Sequence, residues 1–528
     1  MAVPWLNPFA PGPSPAVLGL CVAWACAACL LFLVPWSTPW LTAKWLLACA
    51  LVVVLHGLSV EVLATVAGLA MLLVFAGFGL TGARRGQQVL EPLVAGLLLA
   101  ALLSACAGLL QYFGLEQGLA GWVNHAQPRE AFANLRQRNQ FATLTVIGLA
   151  AVLWFRVRGQ LALHAGWMVL LLVAGNVVSA SRTGLFQIVL LLVLAWCWRA
   201  SLPKPCRTLL AATVPMYLAV WLLLQWILDA PGGAFMRFDL QSEGCASRLV
   251  LWRNVLDLIG QRPVWGWGVG ELDYAHYITL YPGERFCSIL DNAHNLPLHM
   301  AVELGVPAAL LICGGLVWLV LRARPWRETQ ATRQLAWSVL AVIMLHSFLE
   351  YPLWYTPFQM AFGLSLGLLL RPAGAAAGDS WPPGARTAQR VCAALLLAAC
   401  AAVYGDYSRI SQIYLPPEAR DPAYRDDTLR KLQNSWFFQN QVRFAELSVT
   451  SLTRENAAQQ HALAKELLHY SPEPKVIERL IESAVMLGLD DEALFHLVRY
   501  QKAFPAEYAR WAQLNADVAK EPPWRGTQ

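Results

Sequence analysis

Between Met1 and Ala83 only Lys44 and Glu61 carry a formal charge. A stretch that long cannot cover a domain facing water, because charged side chains almost never lie fully buried without partners. Across the chain, 57% of residues are hydrophobic and 14% charged, which excludes an ordinary cytosolic enzyme, a disordered chain and a collagenous one. The stretch from Asp406 to Gln528 differs, being studded with Arg, Lys, Asp and Glu. The expected fold class is therefore all-α: a polytopic membrane protein of about twelve transmembrane helices, followed by a soluble helical domain. The net charge of +6 is too diffuse to imply nucleic acid and fits membrane topology better.

A helix needs roughly 20 apolar residues to cross the hydrocarbon. Candidate spans run near 16–35, 40–56, 58–81, 88–113, 140–155, 160–178, 184–198, 208–228, 296–321, 335–349, 355–370 and 390–405. The first follows Met-Ala-Val-Pro-Trp without a basic leader, so it reads as an anchor. Arg84–Arg85, Arg156 with Arg158, Arg199 with Lys204 and Arg207, Arg322 to Arg333, and Arg386 with Arg390 fall in alternate loops. Positive loops face the cytoplasm, which turns loops 114–139, 179–183, 229–295 and 350–354 outward, together with the tail from Asp406. The expected divisions are N-terminal helices over 1–133, a core over 134–371 with the large outward loop 229–295, a linker and last span over 372–405, and an outer helical domain over 406–528. That arrangement predicts a multi-pass membrane protein with one outward face.

Those outward loops should be poor in arginine, yet Arg129, Arg136 and Arg138 lie in the first, Arg182 in the second, and Arg237, Arg248 and Arg253 in the largest. Each could simply pair with a nearby acid or snorkel to headgroups. Three loops repeating the pattern on one face favour an anionic ligand, since guanidinium suits bidentate phosphate contact. Histidine repeats it: Asp291-Asn292-Ala293-His294-Asn295-Leu296-Pro297-Leu298-His299 runs straight into an apolar helix. Pro297 suits a first helical turn, and Asn292 or Asn295 a cap. His294 sits where it can act as base or orienting donor, although a histidine at a helix mouth is often structural. His346 and Glu350 share a helical face at i, i+4, and a buried Glu350 should hold an Arg or a His.

Most of the twelve cysteines sit inside spans as small apolar fillers. Cys245 and Cys287 share the large outward loop, where they either pair or remain two free thiols. Walker-type and His-Glu-x-x-His motifs are missing from the sequence. Gly266-Trp267-Gly268-Val269-Gly270 reads as a tight aromatic turn, since no strand–helix unit surrounds it. With no dense carboxylate cluster, no metal is expected.

Four segments in order resemble the O-antigen ligase/polymerase superfamily, and most closely its bacterial protein O-oligosaccharyltransferases, the pilin glycosylation enzymes. Asn134-Leu135-Arg136-Gln137-Arg138-Asn139-Gln140-Phe141-Ala142 is similar to the family's Gly-Gln-Arg/Pro-Asn-Asn stretch, with Arg136 where Gly is usual. Ser181-Arg182-Thr183-Gly184 resembles its Ser-Arg-x-Gly. His294-Asn295 followed by Gly305 matches the ligase spacing, with Ala308 a mild departure. His346 to Tyr355 is similar to the His-Ser-x-x-Glu-Tyr-Pro-Leu-Trp-Tyr segment of the protein-glycosylating branch. The resemblance implies transfer of a whole glycan from undecaprenyl pyrophosphate, the lipid-linked oligosaccharide, to Ser or Thr of an exported protein such as pilin. In that scheme His294 aligns and deprotonates the hydroxyl, while Arg138, Arg182 and Arg248 bind pyrophosphate. Asn139, Gln140, Asn295, His346, Glu350 and Tyr351 support them, with no cofactor or metal required.

The tail bears on the branch. Val476, Leu480, Ile481, Ala484 and Leu487 form an apolar helical face. Pro472 and Pro505 end two helix-rich units 33 residues apart, near the tetratricopeptide period of about 34. A plain helical bundle accounts for this as well. Lipopolysaccharide ligases generally end soon after their last span, whereas the protein-glycosylating branch carries such a domain, which either holds an acceptor or only covers the outer face. The alternatives are an O-antigen ligase acting on lipid A-core, the related polymerase, and, from another class, a multispan transporter or flippase, against which the lack of an internal repeat speaks.

Overall fold

The computed structural model describes residues 1–8, 14–34, 36, 60–85, 87–228, 244–370 and 384–520. Among them no β-strand occurs; an isolated Ala120–Val123 bridge is the extent of extended pairing. In chain order the helices are α1 Pro15–Leu33, α2 Val60–Arg85, α3 Gln87–Tyr112, α4 Arg138–Val157, α5 Ala165–Val178, α6 Arg182–Cys197 and α7 Lys204–Leu228. Then come α8 Arg248–Gln261, α9 Leu272–Ile278, α10 Leu296–Leu304, α11 Val306–Ala323, α12 Ala331–Ser347, α13 Thr356–Leu369 and α14 Ala385–Ser411. The tail supplies α15 Gln439–Val449, α16 Ala457–Tyr470, α17 Pro474–Met486, α18 Asp490–Ala503 and α19 Pro505–Lys520.

Seven described helices are long and apolar enough to cross a membrane, and α5, α6 and α13 are shorter apolar helices. The expected span at 40–56 lies outside the described residues, as does Arg237. The expected span at 335–349 appears as α12, which buries Gln334, Ser338, His346 and Ser347 among its apolar residues. One span differs outright. The apolar run 296–321 is broken at Gly305, whose φ of +86° no side-chain-bearing residue adopts comfortably. A Cβ there would lie 2.0 Å from the Val264 carbonyl oxygen. The apolarity continues across the break, so the sequence reads as one helix; the crossing segment begins at Val306.

The chain divides into two compact units: residues 1–241 with 317–407, and residues 242–316 with 408–528. The core of the first is built from α1 to α7 and α12 to α14, with Phe75, Phe78, Leu144, Trp154 and Phe358 fully buried. Glycines let its helices approach closely: a Cβ on Gly363 or Gly367 of α13 would meet backbone oxygens of α2 at about the distance of a covalent contact, 2.1 and 1.9 Å. That small-residue seam suits helix packing in lipid, where no hydrophobic drive separates one apolar surface from another.

The second unit joins the large loop to the tail. Tyr277 of α9 is buried with Leu447, Leu467, Ile477, Leu480 and Tyr500 of the tail in one core. Its hydroxyl lies 3.1 Å from His496 Nδ1. His469 of α16 pairs with Glu271 at 2.8 Å and stacks on Tyr274. Cys245 and Cys287 are joined by a disulfide, which settles the choice the sequence left open.

Candidate functional site

In the first unit three motif segments meet through a buried polar network. Gln137 and Asn139 donate their side-chain amides to the Glu350 carboxylate at 3.2 and 3.4 Å. Ser181 Oγ donates to Asn139 Oδ1 at 2.7 Å, and the same oxygen caps α6 by accepting from Gly184 N. One turn along α4, the Thr143 hydroxyl lies 2.9 Å from His346 Nδ1 and accepts from Gln187 Nε2 at 2.9 Å. Gln187 Nε2 also donates to the Val342 carbonyl. Thr143, Gln187 and His346 are fully buried, and Glu350 nearly so. Hydrogen bonds in such surroundings cannot be replaced by water, so each member fixes the others.

Glu350 thus accepts amide donors from Gln137 and Asn139. Its backbone N–H still bonds the His346 carbonyl at 2.8 Å, so the helical spacing carries past the end of α12. Tyr351 stacks on Tyr355 and lies against Trp354. Gln140 is buried in α4, its amide nitrogen without a partner among the described residues.

The loop before α4 is stapled by Gln111, a buried residue of α3. Its Nε2 donates to the Asn124 and Ala133 carbonyls, and its Oε1 accepts from the Phe132 and Ala133 amides. Within this loop Arg129, Ala133 and Arg136 have positive φ. At +60°, Arg136 occupies the left-handed region, which gives a physical reason for a glycine being usual there. Gly184 has its own reason: a Cβ would fall 2.6 Å from that of Ala142, so only glycine lets α6 lie this close to α4.

Arg138, Arg182 and Arg248 share one placement, each being the first residue of a helix (α4, α6 and α8). Serines cap two of those helices: Ser181 accepts from Gly184 N, and Ser247 from Val250 N at 3.3 Å. No acidic side chain occupies the first turn of any of the three. A cation at a helix N-terminus opposes the macrodipole, whereas an anion is favoured there by both the dipole and the open N–H groups. Arg138 is ion-paired with Glu130, so its charge is already partly offset, as the simpler reading of the arginines anticipates.

The second unit holds Arg248, His294 and Asn295. His294 has φ +49° and donates its backbone N–H to Asn292 Oδ1 at 2.7 Å. Asn295 caps α10 by accepting from Leu298 N. His294 is half-buried, while Asn292 and Ala293 on its N-terminal side are buried. The Gly266–Gly270 segment is the tight turn expected, with positive φ at all three glycines. It wraps the end of α10: Trp267 N and Gly268 N donate to the Val302 and Glu303 carbonyls, and Gly270 N to Glu303 Oε1. His299 and Glu303 lie 3.5 Å apart on α10. Burial pushes His299 down to about 4 and Glu303 up to about 7, so near neutrality the imidazole is uncharged and the carboxyl is only partly ionised. Glu303 therefore buttresses the turn.

Thr143, Gln187, Gln111, Gln137 and Glu303 were not singled out from the sequence. The signal for the first three is a lone polar residue within an apolar helix, which in a membrane protein marks a partnered or functional site. Among the described residues no group of three or more His, Cys, Asp or Glu side chains is placed to hold a metal ion.

Comparison with known proteins agrees with the motifs. Residues 167–313 match the family model described as O-antigen ligase, and residues 131–155 the one described as protein glycosylation ligase. Residues 334–519 match the one described as virulence factor membrane-bound polymerase, C-terminal. A general O-oligosaccharyltransferase of Acinetobacter baylyi is 26% identical over 308 residues, which is 56% of this chain and 53% of that protein. The chain is a relative of the O-oligosaccharyltransferases of the O-antigen ligase family. A ComP-specific O-oligosaccharyltransferase of the same organism is 24% identical over 240 residues, 45% of this chain and 43% of that protein. The chain thus matches about half the length of these curated relatives. No solved structure matches.

Proposed function

We propose that this chain transfers a preassembled glycan from undecaprenyl pyrophosphate to Ser or Thr hydroxyls of exported proteins such as a pilin, at the periplasmic face of the inner membrane. The observation that carries the reading is the buried network joining Asn139, Ser181, Glu350 and His346, because it ties together three of the four segments that resemble the protein-glycosylating branch. In this reading the acceptor oxygen attacks the anomeric carbon, and the carbon–oxygen bond to pyrophosphate breaks with its electron pair leaving on the lipid phosphate. His294 takes the hydroxyl proton. Arg138, Arg182 and Arg248 face the charge that builds on the leaving group, a stabilisation larger in the transition state than in the bound donor. No metal or nucleotide enters the scheme. Gln137, Asn139 and Ser181 act as positioning residues around Glu350.

The tail takes the acceptor-holding role in this reading. Its helices α16 to α19 follow one another in sequence, with Ala457 and Asp490 opening α16 and α18 33 positions apart, near the tetratricopeptide period of about 34, which supports a tetratricopeptide-like reading. The remaining spans bring the total to about twelve.

Mass spectrometry of exported proteins from cells with and without the chain tests this. Loss of a glycan from Ser or Thr of an exported protein, with lipopolysaccharide intact, is the expected result. Capless lipopolysaccharide with unchanged exported proteins would instead assign the lipid A-core acceptor, the second reading, which the O-antigen ligase match over 167–313 favours.

A further inference from the structure

The outer surface of α8 and the turn that follows it is unusually apolar for an element facing water. Leu249 and Leu256 lie one and three turns into α8 on its uncovered side and are more than half exposed. Leu251, Val255 and Leu258 on the opposite side are buried in the core of the second unit. Beyond the helix, Val264 is 54% exposed and Trp265 86%.

The height of this surface is fixed by two contacts with the start of a membrane-crossing helix. Val306 N, the first amide of α11, donates to the Pro263 carbonyl at 2.8 Å. Gly305 packs its α-carbon so tightly on Val264 that a Cβ would lie 2.0 Å from that carbonyl oxygen. The Pro263–Trp265 turn is therefore level with the point where the apolar segment 306–327 begins. Only 6% of that segment is buried within the protein, so lipid covers it. An exposed Trp at this level has the placement of an interfacial aromatic anchor. Arg253, between Leu249 and Leu256, has the reach to meet headgroup phosphates while its stem lies on apolar surface.

We propose that α8 and the Pro263–Gly270 turn form an in-plane anchor lying in the headgroup region of the bilayer that α11 crosses, with Leu249, Leu256, Val264 and Trp265 inserted toward the acyl chains. The occupant of this face is the lipid surface itself. Amphipathic helices of this make-up bind interfaces through buried apolar area together with basic side chains. Resting on the reaction proposed above, the anchor has a further role: Arg248 opens α8, so anchoring holds its guanidinium at headgroup depth, the level of a lipid-linked pyrophosphate.

The test places p-benzoylphenylalanine at Trp265 or Leu256 of the full chain in nanodiscs of phosphatidylethanolamine and phosphatidylglycerol. Leu311 of α11 serves as the lipid-facing control and Leu494 of α18 as the exposed tail control. After irradiation, phospholipid-mass adducts at 265, 256 and 311 with none at 494 are expected. Adducts at 311 without any at 265 and 256 overturn the anchor, whatever the chain's activity. In a second arm, Trp265→Glu and Leu256→Glu should raise KM about tenfold for a bilayer-embedded long-chain donor. Transfer from a water-soluble short-chain donor should stay near that of the parent. Equal loss with both donors, or loss with neither, contradicts the positioning role. If the parent chain transfers from no donor at all, the proposed reaction fails while the adducts still decide the anchor.

Discussion

The two units hold their functional groups by different means. In the first, the polar atoms of Asn139, Thr143, Ser181, Gln187, His346 and Glu350 are fixed mainly by one another, side chain to side chain, inside apolar helices. In the second, His294 is set by its backbone: a left-handed φ, an Asn292 bond to its amide, an Asn295 cap and a glycine break at 305. The contrast follows from the solvent. Within lipid an unpaired polar atom costs several kcal/mol, so most polar side chains there pair with one another. A loop near water can rely on turns, caps and a disulfide. The first unit should accordingly be sensitive to isosteric loss of a hydrogen bond, and the second to changes in backbone freedom.

The largest expected effect separates chemistry from scaffold. His294→Ala should lower transfer at least about a hundredfold, the ordinary contribution of a general base, while membrane insertion and thermal unfolding stay as in the parent. Substantial residual transfer would remove His294 from the base role.

Gly305→Ala should destabilise the second unit by about 3 kcal/mol, since the new Cβ meets the Val264 carbonyl at a strained φ. Thermal unfolding with hydrogen exchange on α9 and α10 reads this, and protection within α4 and α12 should not change. Loss of protection in both units alike would contradict the separation. On the other side, Thr143→Val should cost about 1–3 kcal/mol by leaving His346 and Gln187 short of a partner, and Thr143→Ser should restore most of it. If valine and serine behave alike, the hydroxyl is not what holds the network.

The smallest effect is a pH dependence confined to the second unit. Burial raises the Asp273 carboxyl from 3.8 to about 7, against its bond from the Tyr274 amide, and Glu271 and Asp291 add to the rise. The folded chain therefore holds this proton more tightly than the unfolded one. Its stabilising contribution is complete below the ordinary Asp range and is lost as pH rises through about 7. Asp273→Asn should thus gain on the parent by roughly 1–2 kcal/mol between pH 5 and pH 8 in thermal unfolding. A gap between variant and parent that does not change with pH would show that Asp273 is ionised throughout.

Much of this was legible beforehand where a residue type carries its own constraint. Apolar runs marked the spans, Asn295 and Pro297 marked a helix start, and the arginines stood out because lipid-proximal loops rarely keep them. Arg136 was visible as a departure from the family pattern, but its left-handed backbone, in a loop that Gln111 holds through Ala133, was not. The break at Gly305 was hidden because hydropathy records burial and not dihedral angles. Nor could the sequence show that α9 packs into the tail, since Tyr277 and His496 lie 219 residues apart. The Thr143–Gln187 pair was missed for a related reason: each alone looks like a tolerated polar residue in a helix.

The most direct measurement combines the purified full chain with an undecaprenyl-pyrophosphate-linked glycan and a Ser/Thr-bearing exported protein, and reads the intact mass of that protein. The account predicts a gain equal to the whole glycan, released by β-elimination, with free undecaprenyl pyrophosphate formed in equal amount. An unshifted acceptor beside intact donor, or glycan delivered only to lipid A-core, would contradict it.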